Sequence, residues 1–152
     1  MKILQSSVLL SLLMALPLSG NAQTSGSSDE QHVMSVLDDF MTTFSNSDPA
    51  GHAATYHTPH FRLARGSMSN WATEEDVVLA HVRVFDRLSN SDWHHSEWVE
   101  RNIISITDTK AHVATIVRRF REDGSEIVTF ESLYILIKQD GRWGIKLRSS
   151  FL

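Results

Sequence analysis

The chain has 152 residues, with 14 basic against 18 acidic side chains, a formal net charge of −4 and no cysteine. That length fits one domain comfortably and two poorly. The acidic balance argues against a general nucleic-acid binder, which needs clustered positive charge to release counterions, and the lack of cysteine excludes disulfides, thiol nucleophiles and Cys-ligated metals.

Lys2 precedes an apolar run from Val8 to Leu16, which Pro17 and Gly20 break. Gly20-Asn21-Ala22 then places small residues where a signal peptidase reads. This three-part pattern predicts a cleaved export signal over residues 1–22, with Gln23 as the first exported residue. The apolar core is too short to span a hydrocarbon layer of about 30 Å, and no cysteine is present to carry a lipid anchor. The expected location is periplasmic or secreted, with no membrane span in the exported part. Without disulfides, that part depends on a hydrophobic core, for which it is long enough. Residues 23–29 are polar and read as a disordered leader, so the domain is expected over 30–152.

Ser28 with Gln31 forms a capping-box pattern, and Val33, Val36, Leu37, Phe40, Met41 and Phe44 follow at helical spacing, predicting a first helix to about Asn46. Asp48-Pro49 opens a second, short helix to about Tyr56. His57-Thr58-Pro59-His60 reads as a turn and Phe61 to Ala64 as a short strand that Gly66-Ser67 reverses towards Trp71. Thr73 followed by Glu74, Glu75 and Asp76 starts a third helix, because acidic residues favour a helix N-terminus. Its expected inner stripe is Val78, His81, Val82 and Phe85.

From Trp93 the apolar period changes to two, predicting strands near 94–107, 111–122, 126–138 and 143–151. The connections Asp108-Thr109, Asp123-Gly124-Ser125 and Gln139 to Arg142 have turn chemistry and make antiparallel neighbours. Pairing Thr107 with Lys110, Glu122 with Glu126 and Lys138 with Trp143 sorts the strands into two faces. An aromatic face, expected inside, holds Val99, Ala114, Ile116, Phe130, Tyr134, Leu136, Trp143, Ile145 and Phe151. An aliphatic face with mixed charge holds Ile104, Val113, Val117, Leu133, Glu100, Arg119, Glu131 and Arg148. The second face has the mixture of a homodimer interface.

Three helices, a hairpin between the second and third, and a long antiparallel sheet resemble the nuclear transport factor 2-like superfamily, in particular its SnoaL-like and ketosteroid-isomerase-like members. The residues that carry the resemblance are the Phe40–Phe44 helix followed by Asn46-Ser47-Asp48-Pro49, then Tyr56-His57-Thr58-Pro59-His60-Phe61, and Asp140-Gly141-Arg142-Trp143-Gly144-Ile145 near the end. The resemblance implies an α+β fold, a cone-shaped curved antiparallel sheet wrapped around three N-terminal helices (a cystatin-like α+β barrel), with a pocket between helices and sheet and frequent homodimers. Its members include isomerases, cyclases, dehydratases, hydrolases and binding modules, so fold does not settle function. Steroid isomerisation needs a carboxylate base in an apolar pocket, whereas the hairpin positions here carry His60 and Arg62.

Eight histidines are many for this length. His57, His60 and His81 are the candidate proton-handling groups, with His81 on the inner stripe of the third helix. Trp71 is a candidate pocket wall, and Arg118 and Tyr134, placed on the aromatic face, are candidate polar anchors for a ligand. His57 and His60 with His81 or His112 are the residues a metal would use, which makes a metalloprotein a third reading, but the spacing matches no recognised metal signature, so no metal is expected, and no motif for ATP or a nicotinamide cofactor appears. Two functions fit these residues. One is an exported small-molecule-binding domain with an internal pocket, extending to cofactor-independent acid–base catalysis. The other is a non-catalytic dimeric assembly module that uses the outer sheet face.

Overall fold

The structure is a computed structural model that describes residues 24–152. The predicted export segment, residues 1–22, lies outside the described residues. The elements in chain order are α1 (Thr24–Ser45), α2 (Pro49–Ala54), β1 (Tyr56–Ala64), β2 (Ser67–Trp71), α3 (Glu74–Ser89), β3 (His95–Ile106), β4 (Lys110–Phe120), β5 (Glu126–Gln139) and β6 (Arg142–Ser150). No helix among the described residues is long and apolar enough to cross a membrane.

On α1, Val33, Leu37, Phe40, Met41 and Phe44 are buried, so the helical stripe read from the sequence faces the core. The helix begins earlier than expected, at Thr24, across the stretch read as a disordered leader. Asp29 supplies a physical reason. Its Oδ1 accepts hydrogen bonds from Lys138 Nζ on β5 and Trp143 Nε1 on β6, each at 2.9 Å. On the other side, Trp98 Nε1 donates to the Leu37 carbonyl at 3.1 Å and Arg101 pairs with Asp38, fixing α1 to β3.

Asp48 caps α2 by accepting from the Gly51 amide at 3.0 Å, with Pro49 at the first helical position. Thr73 and Asp76 form a capping box on α3. The inner stripe of α3 is Val77, His81 and Phe85. Val82, expected on that stripe, is 47% exposed, because the buried residues recur every fourth position from Val77.

Residues 57–60, read as a turn, belong instead to a continuous β1, in which the Thr58–Pro59 peptide is cis. The ladder to β6 is interrupted between Tyr56 and Phe61, where Pro59 has no N–H to contribute. The sheet order is β2-β1-β6-β5-β4-β3. β1 and β6 run parallel and every other pair antiparallel, so the sheet is curved, open and mixed rather than purely antiparallel. Asp140 and Gly141 both have positive φ, the backbone that a two-residue hairpin of type I′ requires.

The face assignment holds for β5, where Phe130, Tyr134 and Leu136 are buried, and for the start of β6, where Trp143 and Ile145 are buried. It inverts for β4. Val113 and Val117 are buried, while Ala114 and Ile116 line a shallow outer groove. The predicted pairing of Glu122 with Glu126 is displaced: Glu126 pairs with Phe120, after a register shift beside Arg119. A one-residue slip exchanges the two faces of a strand. A second shift opposite Lys146 turns Arg148 inward, where it is buried. Shifts in β3 leave Val99 half exposed, and Phe151, just beyond β6, is 80% exposed.

Candidate functional site

An aromatic shell fills the space between α1, α3 and the sheet, and three imidazoles lie within it. His52 on α2, His60 on β1 and His81 on α3 are all buried. His52 and His81 have ring centroids 4.4 Å apart, and Tyr56 stands 4.4 Å from His60. Trp71 stacks on His60 at 5.3 Å with planes 17° apart. Phe40, Phe44 and Phe85 close the shell around His52.

The hydrogen bonds fix how protons are arranged. His81 Nδ1 lies 2.8 Å from the Val77 carbonyl and His60 Nδ1 lies 3.2 Å from the Ile145 carbonyl. A carbonyl only accepts, so both Nδ1 atoms carry the proton and both Nε2 atoms present a lone pair. The Thr43 hydroxyl donates to the Asp39 carbonyl at 2.7 Å and therefore accepts from His52 Nδ1 at 3.1 Å. Tyr56 Oη then donates to His52 Nε2 at 3.0 Å, with His81 Nε2 a second acceptor at 3.5 Å. Two imidazole lone pairs face one phenolic proton, and the Nε2 lone pair of His60 has no hydrogen-bond partner among the described residues.

Burial keeps this cluster neutral. Desolvation of the charged form pushes the His60 pKa down to about 3 and that of His81 down to about 4. It holds His52 well below the usual imidazole value, with His81 and Arg148 adding repulsion. The same burial raises the pKa values of the Tyr56 and Tyr134 phenols. Among the described residues no group of three or more His, Asp or Glu side chains is arranged to hold a metal ion.

A narrow cavity adjoins the cluster, walled by Phe40, Phe44, Phe130, Tyr134, Arg119 and Arg148. Its accessible volume is about 10 Å³, room for roughly one water molecule. Tyr134 Oη, Arg119 Nε and Arg148 Nε are buried with no hydrogen-bond partner among the described residues. The Arg148 guanidinium lies over the rings of Phe40 and Tyr134 at 5.4 and 5.1 Å, and that of Arg119 over Phe44 and Phe130 at 5.7 and 5.4 Å. The rings' negative faces partly replace the water these cations lose.

Of the residues proposed from sequence, His60, His81, Trp71 and Tyr134 line this interior. His57 does not. It lies three positions from His60 on β1, and successive strand side chains alternate faces. Its Nδ1 accepts from the Arg142 guanidinium and its Nε2 donates to the Arg142 carbonyl, each at 3.0 Å. Arg118 is also outside the interior. The slip on β4 sends it to the surface, where it pairs with Glu126 at 3.1 Å and its neighbour Arg119 turns inward. His52, Tyr56, Arg119 and Arg148 escaped the sequence reading. The separation of four between His52 and Tyr56 was a usable signal, because it joins the last turn of α2 to the first residue of β1.

A family model described as NTF2-like protein (DUF6841) matches residues 29–147. The chain belongs to this NTF2-like family. Solved structures with the same fold include a protein with a cystatin-like fold from Nostoc punctiforme (TM-score 0.70, 13% identity, covering 82% of this chain and 91% of that one). A ketosteroid isomerase-like protein from Erwinia carotovora is also similar (TM-score 0.62, 14% identity, covering 80% and 93%). So is an NTF2-like protein from Novosphingobium aromaticivorans (TM-score 0.70, 8% identity, covering 83% and 82%). At these identities the likeness of the NTF2-like chain to each is one of fold alone. No curated protein matches it.

Proposed function

We propose that this NTF2-like domain binds a small molecule, part of which enters the interior beside the histidine cluster. The observation that carries the reading is the set of buried polar atoms on one cavity wall, Tyr134 Oη, Arg119 Nε and Arg148 Nε, that bond to no protein group among the described residues. Buried polar groups are almost always paired in a folded protein, and a bound polar group would pair them here. The similarity to a protein named ketosteroid isomerase-like agrees with a ligand pocket in this fold. His60 and His81 act in this reading as hydrogen-bond acceptors. With pKa values of about 3 and 4 they are weak bases at neutral pH, and general-base catalysis works best with a pKa near the working pH.

The test is a thermal-shift screen of small metabolites, repeated on Tyr134→Phe and Arg148→Met. A binder raises the melting temperature of the parent and raises it less in both variants. A screen in which every binder acts equally on parent and variants would refute the interior site.

Two further features belong to this proposal. The pattern of residues 1–22 supports export, and the intact mass of the native protein should lack those residues. The outer sheet face supports a homodimer, because the exposed Phe151 lines a groove there together with Ile116, Leu133, Glu100 and Glu131. Light scattering should give twice the chain mass, and a monomer at micromolar concentration would rule that dimer out.

A further inference from the structure

Five arginines gather around one end of the sheet although the chain as a whole is acidic: Arg148 is buried, Arg62 and Arg119 are half-buried, and Arg65 and Arg87 are exposed. Arg62 on β1 and Arg148 on β6 are register partners on adjacent strands, and Arg148 is in turn the partner of Tyr134 on β5. Like charges directly opposite each other on neighbouring strands destabilise a sheet. Outside this row a recess of about 330 Å³ is lined by Arg62, Arg65, Arg87 and Arg119, with Val84 and Leu88 as apolar wall. No acidic side chain lines it, and the remaining lining residues are Ala64 and Leu152, the last residue of the sequence, whose carboxylate forms no ion pair within 4.0 Å among the described residues. Among the described residues, none of the five arginines has a carboxylate within 4.0 Å, whereas Arg101, Arg118 and Arg121 each have one.

Arg119 lines both the recess and the inner cavity, so its side chain stands between the two. The inner cavity, on the other side of Arg119, presents unpartnered donors on side chains more than nine-tenths buried: Arg148 at 7% and Tyr134 at 0% exposure. The volume of the recess suits a ligand body, and the inner cavity suits one small group. Planar guanidinium forks recognise carboxylate and phosphate oxygens in pairs.

We propose that the recess is the binding site for a small organic dianion, a phosphomonoester or a dicarboxylate, whose charged end seats among Arg62, Arg65, Arg87 and Arg119. This rests on the small-molecule reading above and names the class of ligand. One negative charge would leave most of the cluster repelling itself, and two offset it better. The apolar wall of Val84 and Leu88 suits a ligand with a hydrocarbon or aromatic portion next to its charges.

The experiment is titration calorimetry on the whole protein at low salt, with phenyl phosphate, phthalate and benzyl alcohol as probes. At least one dianion should bind about tenfold or more tightly than benzyl alcohol, and its affinity should fall as salt rises. The dianion that binds decides between phosphate and carboxylate chemistry. The double variant Arg62→Gln, Arg87→Gln should lose affinity about tenfold or more. It should melt no lower than the parent, since it removes two unpaired like charges, so loss of binding would not reflect unfolding. Equal affinity for the dianions and benzyl alcohol, or a dianion affinity unchanged in the double variant, would overturn the assignment. If benzyl alcohol alone binds and Tyr134→Phe weakens it, the dianion class falls and the interior pocket stands. If no probe binds and the metabolite screen is also empty, both fall.

Discussion

Tyr56 and Tyr134 are both buried tyrosines of the same aromatic shell, yet their hydroxyls have different surroundings. Tyr56 Oη donates to His52 Nε2 at 3.0 Å, whereas Tyr134 Oη has no partner among the described residues. Removing one partner of a buried hydrogen bond strands the other, at about 1–3 kcal/mol. Removing a hydroxyl that bonds to nothing strands nothing. Tyr56→Phe should therefore lower the unfolding free energy by about 1–3 kcal/mol, and Tyr134→Phe should leave it unchanged or slightly raised. Urea denaturation of the two variants beside the parent measures both. Equal losses would mean that Tyr134 Oη is paired in solution, which would remove it from the proposed binding wall. The sequence singled out Tyr134 but not Tyr56, because the alternation of β5 was clear while Tyr56 looked like the end of a helix. His52 was hidden for a similar reason: among the small residues of α2 nothing marks its ring as interior.

At the scale of elements, periodicity and capping residues located the helices and strands, and irregularities decided what was misread. The stripe of α1 and the caps at Asp48 and Thr73 were legible because each is a short-range pattern with a local cause. The faces of β4 and of the end of β6 were not, because a register shift depends on how two strands meet and leaves no residue signature in either one. Such shifts place Arg118 at the surface and Arg148 in the interior, the reverse of what uninterrupted alternation predicts. The start of α1 was misread through a long-range contact, since Asp29 is held by Lys138 and Trp143, far along the chain. That carboxylate's pKa lies below its ordinary value, first because of the hydrogen bond from Lys138. Asp29→Ala should free the first turns of α1 while leaving the rest of the domain folded. Hydrogen exchange should then quicken for amides near residues 28–32 and stay unchanged in β4 and β5. Unchanged protection near Asp29 would show that helix propensity alone holds that end.

For the whole molecule, the three buried imidazoles make stability depend on pH in a defined direction. In the unfolded chain His52, His60 and His81 titrate near 6.5. In the folded protein His60 titrates at about 3, His81 at about 4 and His52 well below the ordinary value, all mainly through burial. Below pH 6.5 the unfolded chain thus binds more protons than the folded one, and stability falls as the pH falls. Well above 6.5 neither state binds a proton at these sites, and the contribution flattens. Each imidazole adds a slope of at most about 1.4 kcal/mol per pH unit between its unfolded and folded values, so three together reach about 4 kcal/mol per unit. A domain stabilised by about 5–15 kcal/mol cannot lose that for more than a few units, and cooperative unfolding is expected well above the pH at which most surface carboxylates protonate. The Asp29 pair acts in the same direction but only lower, since a depressed carboxylate loses its contribution as pH drops through the acid range. Urea denaturation at pH 8, 7, 6 and 5 separates the two: nearly equal stability at 8 and 7, then a steep loss from 6 to 5, is the histidine signature. A profile that stays flat to pH 5 would mean the imidazoles charge in place or meet water, which would contradict the closed aromatic shell around them. A dianion bound among the arginines should raise stability at each of these pH values by mass action. Because it pairs with guanidinium groups, which stay charged throughout this range, the steep loss between pH 6 and 5 should persist beneath that added stability.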